Sequence, residues 1–156
     1  MGREIKRVPL NFDWPMYWIW PGYMGGVCSD DIEYCVKGKN PENKKSCDIC
    51  RHAAKLAGVV IHSYGCPEWK IGPPKGDGWQ MWETTTEGSP ISPVFSTPEE
   101  LAHWLANNKA SACGSQTASY ESWLAMIKKG WAPTMALDSE GLKSGVEFIA
   151  QEKEKP

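Results

Sequence analysis

Residues 79–107 read WQMWETTTEGSPISPVFSTPEELAHWLAN and carry the clearest secondary-structure signals in the chain. The first eight, WQMWETTT (79–86), alternate their side chains with the period of two that is typical of a β-strand, which places Trp79 and Met81 on one face. The turn EGSPISP follows. After it, VFS (94–96) predicts a short second strand that pairs antiparallel with the first.

A helix is predicted directly after this second strand, ending at about Asn107. Thr97 in the N-cap position, Pro98 at the first helical position and two glutamates in the first turn are typical of a helix start. The spacing i, i+3, i+4 predicts a buried face made of Leu101, Trp104 and Leu105.

A second helix, YESWLAMIKK, is predicted between Ser119 as N-cap and Gly130 as its stop. Residues 131–150 are ambiguous between short strands and irregular chain, and the tail 151–156 is predicted to fray. The predicted buried face of this helix comprises Tyr120, Trp123, Leu124 and Ile127.

The N-terminal residues 1–21 are rich in aromatic side chains and contain three prolines, which exclude a continuous helix. We expect an extended segment that wraps the body of the protein and inserts its rings into it. A third helix is predicted from Cys47, with Ser46 as its cap and Gly58 as its stop, and a short strand at 59–64. These elements predict one α+β domain over residues 1–150, with a cysteine-bearing, zinc-ribbon-like lobe at 22–70.

Composition limits the function classes that fit the chain. It has 156 residues and a formal charge of −2, from 17 Lys+Arg and 19 Asp+Glu, which argues against a protein whose main task is to coat nucleic acid or an anionic membrane. Asp13 and two prolines interrupt the apolar N-terminal run, so a signal peptide is not expected, and no run is long enough to span a membrane. We therefore expect a cytoplasmic protein.

The cysteines are the strongest chemical signal. Cys47 and Cys50 have the two-residue spacing of structural zinc sites, at a helix start where the backbone N–H groups favour thiolate. A redox-active pair and a set of free buried thiols are the alternatives, and we favour one bound zinc. Further ligands are available from Cys28, Cys35 and Cys66, with His52 and His62 as weaker candidates.

Three runs of the chain resemble a widespread group of phage and prophage proteins of unassigned function. They are VPLNFDWPMYWIWPGYM (8–24), GDGWQMWETTTEGSPISPVFSTPEELAHWLA (76–106) and SYESWLAMIKKGWAP (119–133). The group's pattern has a VPLDFDWP element, Cys-x-x-Cys-x-Gly-x-Gly knuckles and a GEGWQLWETVSEGSPVSPVF element. The resemblance implies a phage origin and a zinc knuckle, and it implies no reaction.

The middle of the chain departs from that group at both knuckles. The first keeps Cys35 but has Ile32 at the other ligand position, and the second keeps Cys66 but has Trp69. The ligand set inferred from this comparison is Cys35, Cys47, Cys50 and Cys66, with Cys28 as the competitor, although the site could equally have decayed.

A binding protein fits the sequence better than an enzyme. Cys113 and His103 are the best nucleophile pair available, but they are ten positions apart in the chain and no carboxylate orients the histidine. Nine tryptophans favour a protein-protein interface. We therefore predict a zinc-stabilised interaction module that inhibits a host defence complex, as anti-CRISPR proteins do. The alternative is an accessory factor that binds RNA or DNA through the basic stretch 37–55. Residues predicted to contact a partner are Trp14, Trp18, Trp20, Trp69, Lys37, Lys39, Lys44, Lys45 and Arg51.

Overall fold

The structure of the protein is a computed structural model that describes residues 2–23, 48–58, 72–83, 88–139 and 141–152. Within these ranges a three-stranded antiparallel sheet, a separate two-stranded hairpin and four α-helices confirm the predicted α+β class. The 22–70 lobe lies mostly outside these ranges. The strands are β1 (Arg3–Val8), β2 (Gly78–Glu83), β3 (Trp131–Ala132), β4 (Met135–Asp138) and β5 (Gly141–Ser144), and the helices are α1 (Asp48–Ala57), α2 (Pro98–Asn107), α3 (Tyr120–Lys129) and α4 (Gly145–Glu152).

The N-terminal segment forms the central strand of the larger sheet, which has the order β2-β1-β3. β1 pairs antiparallel with β2 from Arg3 opposite Glu83 to Val8 opposite Gly78. On its other side, β1 pairs with β3 through Arg3 and Glu4. The prediction of extended chain is right for these residues, and the burial of Phe12, Trp14 and Trp20 agrees with the expected insertion of rings. Their place as the central strand was not predicted. A strand with a partner on each side satisfies its backbone hydrogen bonds inside the sheet.

The predicted second strand at 94–96 is present only as isolated bridges. Phe95 exchanges two backbone hydrogen bonds with Trp79, of 2.8 and 2.9 Å, and Trp82 is bridged to Pro90. The antiparallel direction is as predicted. Proline has no N–H to donate, so Pro90 and Pro93 prevent a continuous ladder over this segment.

α2 begins with the predicted capping box. The Thr97 side chain accepts a hydrogen bond from the Glu100 N–H, and the Glu100 carboxylate accepts one from the Thr97 N–H, both at 3.2 Å. A further hydrogen bond from the Ser96 hydroxyl, at 2.6 Å, is the main reason that the pKa of Glu100 lies below its usual value. On the predicted inner face Leu101 and Leu105 are buried, and Trp104 is half-buried.

The other two predicted helices are also present. Ser119 caps α3, and Gly130 ends it with a left-handed backbone (φ 95°) that favours glycine. Its buried residues are Trp123, Met126 and Ile127. Trp123 and Ile127 belong to the predicted face, and its other two members, Tyr120 and Leu124, are half-buried against the same core. The buried face also includes Met126, which was not predicted, because α3 packs against α4 as well as α2. α1 ends before Gly58 (φ 69°) as predicted, whereas its predicted cap at Ser46 and the predicted strand at 59–64 lie outside the described residues.

The C-terminal segment 131–150, which the sequence left ambiguous, forms β3, β4, β5 and the start of α4. Gly145 begins α4 directly after β5, and an added Cβ there would lie 1.9 Å from the Pro133 carbonyl oxygen. Only glycine allows this close approach of the helix to the preceding chain. Gln151 and Glu152 extend α4, so the predicted frayed tail is wrong for these two residues.

Apolar side chains form two buried clusters. The first packs α2, α3 and α4 against β2 and includes Met81, Trp123 and Ile149. The second, which we call the aromatic cluster, joins the N-terminal segment to α1 and β2. Its buried members are Val8, Phe12, Trp14, Trp20, Ala53, Ala54 and Trp82.

A buried arginine ties three parts of the fold together. Arg3 is 2% exposed, and its guanidinium donates to the Ser111 carbonyl oxygen at 3.0 and 2.8 Å and to the Glu83 carboxylate at 3.3 Å. Burial lowers the pKa of Arg3 from its ordinary value, and the attraction of Glu83 partly offsets this. The interaction links β1, β2 and the loop that precedes α3.

Candidate functional site

The β4–β5 hairpin presents an apolar face to solvent. Leu137 lies directly opposite Leu142, and Met135 lies two residues from Leu137 on the same face of β4. Their exposed fractions are 76% for Leu137, 60% for Leu142 and 38% for Met135. We call these three side chains the hairpin face. Adjacent exposed apolar side chains are a candidate site of interaction.

The base of the hairpin is held by α4. Ser144 is fully buried and acts as the cap of this helix, because its hydroxyl accepts a hydrogen bond from the Glu147 N–H at 3.3 Å and donates to the Glu147 carboxylate at 3.0 Å. Lys143, whose side chain points to the opposite side of β5 from Leu142, donates to Gln151 at 2.8 Å. These contacts fix the hairpin while its apolar face stays exposed.

A fourth exposed apolar side chain lies shortly before the hairpin in the chain. Trp131 in β3 is 53% exposed, and its backbone pairs with Glu4. Residues 131–142 thus expose four large apolar side chains. Tryptophan is the residue type most enriched among those that dominate binding energy at interfaces.

Two of the tryptophans predicted to contact a partner are buried, which corrects that prediction. Trp14 is 4% exposed and Trp20 is 0% exposed. Their rings pack edge to face with centroids 5.1 Å apart, and the Trp14 indole N–H donates to the Trp18 carbonyl oxygen at 2.9 Å. The rings cover one another, so both belong to the buried aromatic cluster. Trp18 is half-buried and packs edge to face on Trp14.

None of the cysteines predicted to bind zinc has a side chain among those that the structure describes. Cys50 lies in α1, but its side chain falls outside the description. Within the described ranges, no group of three or more His, Cys, Asp or Glu side chains is arranged to hold a metal ion. Cys28, Cys35, Cys47 and Cys66 lie outside these ranges, as do His62, Trp69, Lys37, Lys39, Lys44, Lys45 and the side chain of Arg51.

The remaining candidate residues, His52, His103 and Cys113, contact neighbouring parts of the fold. His52 is a weaker zinc candidate, and its Nε2 donates to the Asp13 carbonyl oxygen at 2.8 Å. His103 is exposed, and its ring stacks on Tyr120 with centroids 4.1 Å apart. Cys113 is a half-buried free thiol in a turn whose backbone hydrogen bonds join residues 112–113 to Gln116.

Sequence reasoning did not identify the hairpin face. The signal was present in MALD (135–138) and GLKS (141–144), where Met135 and Leu137 alternate with smaller or polar residues in the period of a strand. The two runs are separated by two residues, which is the commonest hairpin connection. Each strand has only four residues, however, and so short a pattern did not stand out from irregular chain.

The fold and this surface define a small mixed α+β domain that exposes an apolar hairpin. Comparison with protein-family models, with curated proteins and with solved structures finds no match. Among the described residues, none of the helices has the length and apolar character needed to cross a lipid bilayer.

Proposed function

We propose that the protein is a phage-encoded, zinc-stabilised interaction module that binds a host protein through the hairpin face. The exposure of Leu137 and Leu142, which lie directly opposite one another on the hairpin, is the observation that carries this proposal. Leaving such residues in water has no benefit for folding, and covering each leucine is worth about 1.5–3 kcal/mol. The partner expected on this surface has an apolar recess that takes both leucines.

Inhibition of a host defence complex, in the manner of anti-CRISPR proteins, is the specific role that we propose for this module. It is supported by the resemblance to phage proteins and by the size of the chain. It is not supported by any single residue. The alternative of nucleic-acid binding through residues 37–55 depends on side chains of which the structure describes only those of residues 52–55.

The proposed zinc is structural and binds Cys47 and Cys50 together with Cys35 and Cys66, Cys28 being the competitor. Support comes from the ligand spacing and from α1 (Asp48–Ala57), whose first turn contains Cys50. Thiolate ligands would give the site a negative charge close to the free N–H groups of this helix. The metal would supply folding energy and no catalytic step.

Removal of zinc is expected to destabilise the protein. The purified chain should contain about one zinc ion, and a chelator should lower the melting temperature by about 10 °C or more, because metal-binding free energy becomes folding free energy when the ligands are scattered along the chain. Cys47→Ser should abolish zinc binding. Cys113→Ser is the matched control and should keep both zinc and stability. Absence of metal, with no response to chelator, would disprove the zinc site.

Mutation of the hairpin face is expected to abolish partner binding and leave the fold intact. The immobilised wild-type protein should capture a host protein, and calorimetry with that purified protein should show at least about 100-fold weaker binding by Leu137→Ser/Leu142→Ser, since two buried leucines contribute roughly 3–6 kcal/mol. The melting temperature should change little, because both side chains are exposed.

The matched control for this experiment is Leu10→Ser, which changes a leucine that is also 60% exposed but lies in the N-terminal segment. It should bind as the wild type does. Equal binding by all three proteins, or no captured partner, contradicts the proposal. Retention of RNA or DNA that weakens steeply with salt, in place of a protein, would favour the alternative function.

A further inference from the structure

A cleft of about 340 Å³ lies between the N-terminal segment and α1, remote in sequence from the hairpin face. Its volume is within the range of small-molecule sites. The described walls consist of four residues from the N-terminal segment and the chain before β2, and three residues from α1. The lining residues are Pro9, Asn11, Phe12, His52, Lys55, Leu56 and Pro74.

The apolar part of the cleft is anchored in the aromatic cluster. Phe12 is 7% exposed, and its ring packs against Trp20 and Trp82 at centroid distances of 5.8 and 6.5 Å. Leu56 is half-buried and packs against the same cluster. The two prolines add rigid rings to the wall. A compact apolar group could therefore enter the cleft without rearrangement of the chain.

The polar part comes mainly from one side of α1. His52 and Lys55 are three residues apart and thus lie next to one another on the helix surface. The His52 ring is fixed, because Nε2 donates to the Asp13 carbonyl oxygen at 2.8 Å and the ring stacks on Trp14 at an interplanar angle of 11°. Lys55 is exposed, and among the described residues that line the cleft it is the basic one and none carries a carboxylate.

We propose that this cleft binds a small carboxylic acid with a compact apolar or aromatic body. The body packs on Phe12 and Leu56, and the carboxylate pairs with the Lys55 ammonium group. The Asn11 amide and the fixed His52 ring are polar groups that orient the ligand at the cleft mouth. This site is additional to the proposed interaction with a host protein and does not depend on it.

The test uses the full chain labelled with ¹⁵N and two probes, phenylacetate and isovalerate, each compared with its neutral amide. At least one acid should cause saturable shifts in the backbone signals of Phe12, His52 and Leu56, with a dissociation constant of about 1 mM or lower. The corresponding amide should bind at least about 10-fold more weakly, because it cannot form the ion pair.

Variants at Lys55 separate the ion pair from general apolar binding. Lys55→Met should weaken binding of the acid about 10-fold, and Lys55→Arg should restore most of it, because the positive charge is kept. Lys128→Met is the control, since it removes an exposed lysine from α3. The proposal is overturned if neither acid shifts these signals, if the amides bind equally well, or if Lys55→Met binds as the wild type does.

Discussion

Replacement of Arg3 by methionine is expected to reduce the free energy of unfolding by about 3–5 kcal/mol, the usual cost of breaking a buried ion pair from one side. Methionine keeps much of the apolar stem of Arg3 but removes every donor of the guanidinium. The Glu83 carboxylate, whose side chain is only 13% exposed, and the Ser111 carbonyl oxygen would both lose their partner. Denaturant unfolding measured at neutral pH is the appropriate readout.

Two further variants make this prediction specific. Lys6→Met removes a cation from the same strand, but the Lys6–Glu4 pair has side chains that are 24% and 36% exposed, so a loss of less than about 1 kcal/mol is expected. Arg3→Met/Glu83→Gln should recover part of the loss, because the uncompensated carboxylate is removed. If Arg3→Met and Lys6→Met lower the free energy of unfolding by the same amount, Arg3 does not hold β1, β2 and the loop before α3 together.

Truncation of Trp20 to alanine is expected to cost about 3–5 kcal/mol and to lower the melting temperature by roughly 6–20 °C. Trp20 is 0% exposed and packs against both Phe12 and Trp14, with centroids 5.8 and 5.1 Å away. Alanine would leave a large cavity between the N-terminal segment and β2. Thermal unfolding followed by circular dichroism measures the effect.

The control for Trp20 is Trp131→Ala, which removes the same side chain from a site that is 53% exposed and should cost less than about 1 kcal/mol. The comparison also tests whether Trp20 is a core residue or a partner-contacting residue. If Trp20 were a partner-contacting side chain, its loss would weaken partner binding without lowering the melting temperature. Equal and small changes in stability for the two variants would contradict the description of the aromatic cluster as core.

Helix ends were predictable because their signals are local. The capping box of α2 needs only Thr97 and Glu100, and the stop of α3 needs only Gly130 in a left-handed conformation. Each depends on hydrogen bonds within one helical turn. The start, end and much of the inner face of α2 were therefore available from the sequence alone.

The central strand and its buried cation were not predictable in the same way. Arg3 and Glu83 are 80 residues apart, and only the folded sheet brings them within 3.3 Å. The number of tryptophans likewise does not show which of them are buried. Trp20 is covered by other rings, whereas Trp131 lies on an edge strand and is exposed. Burial of a large aromatic residue depends on which rings meet in three dimensions, and aromatic content cannot decide it.

We propose that the hairpin face is the surface that contacts a host protein. Its most direct test is photo-crosslinking in host cells, with a photoreactive phenylalanine analogue in place of Leu142 and, separately, in place of Leu10, the two leucines that are both 60% exposed. We expect one host protein to be crosslinked from position 142 and not from position 10. Crosslinks from position 10 alone, the same proteins from both positions, or none from position 142 would contradict it.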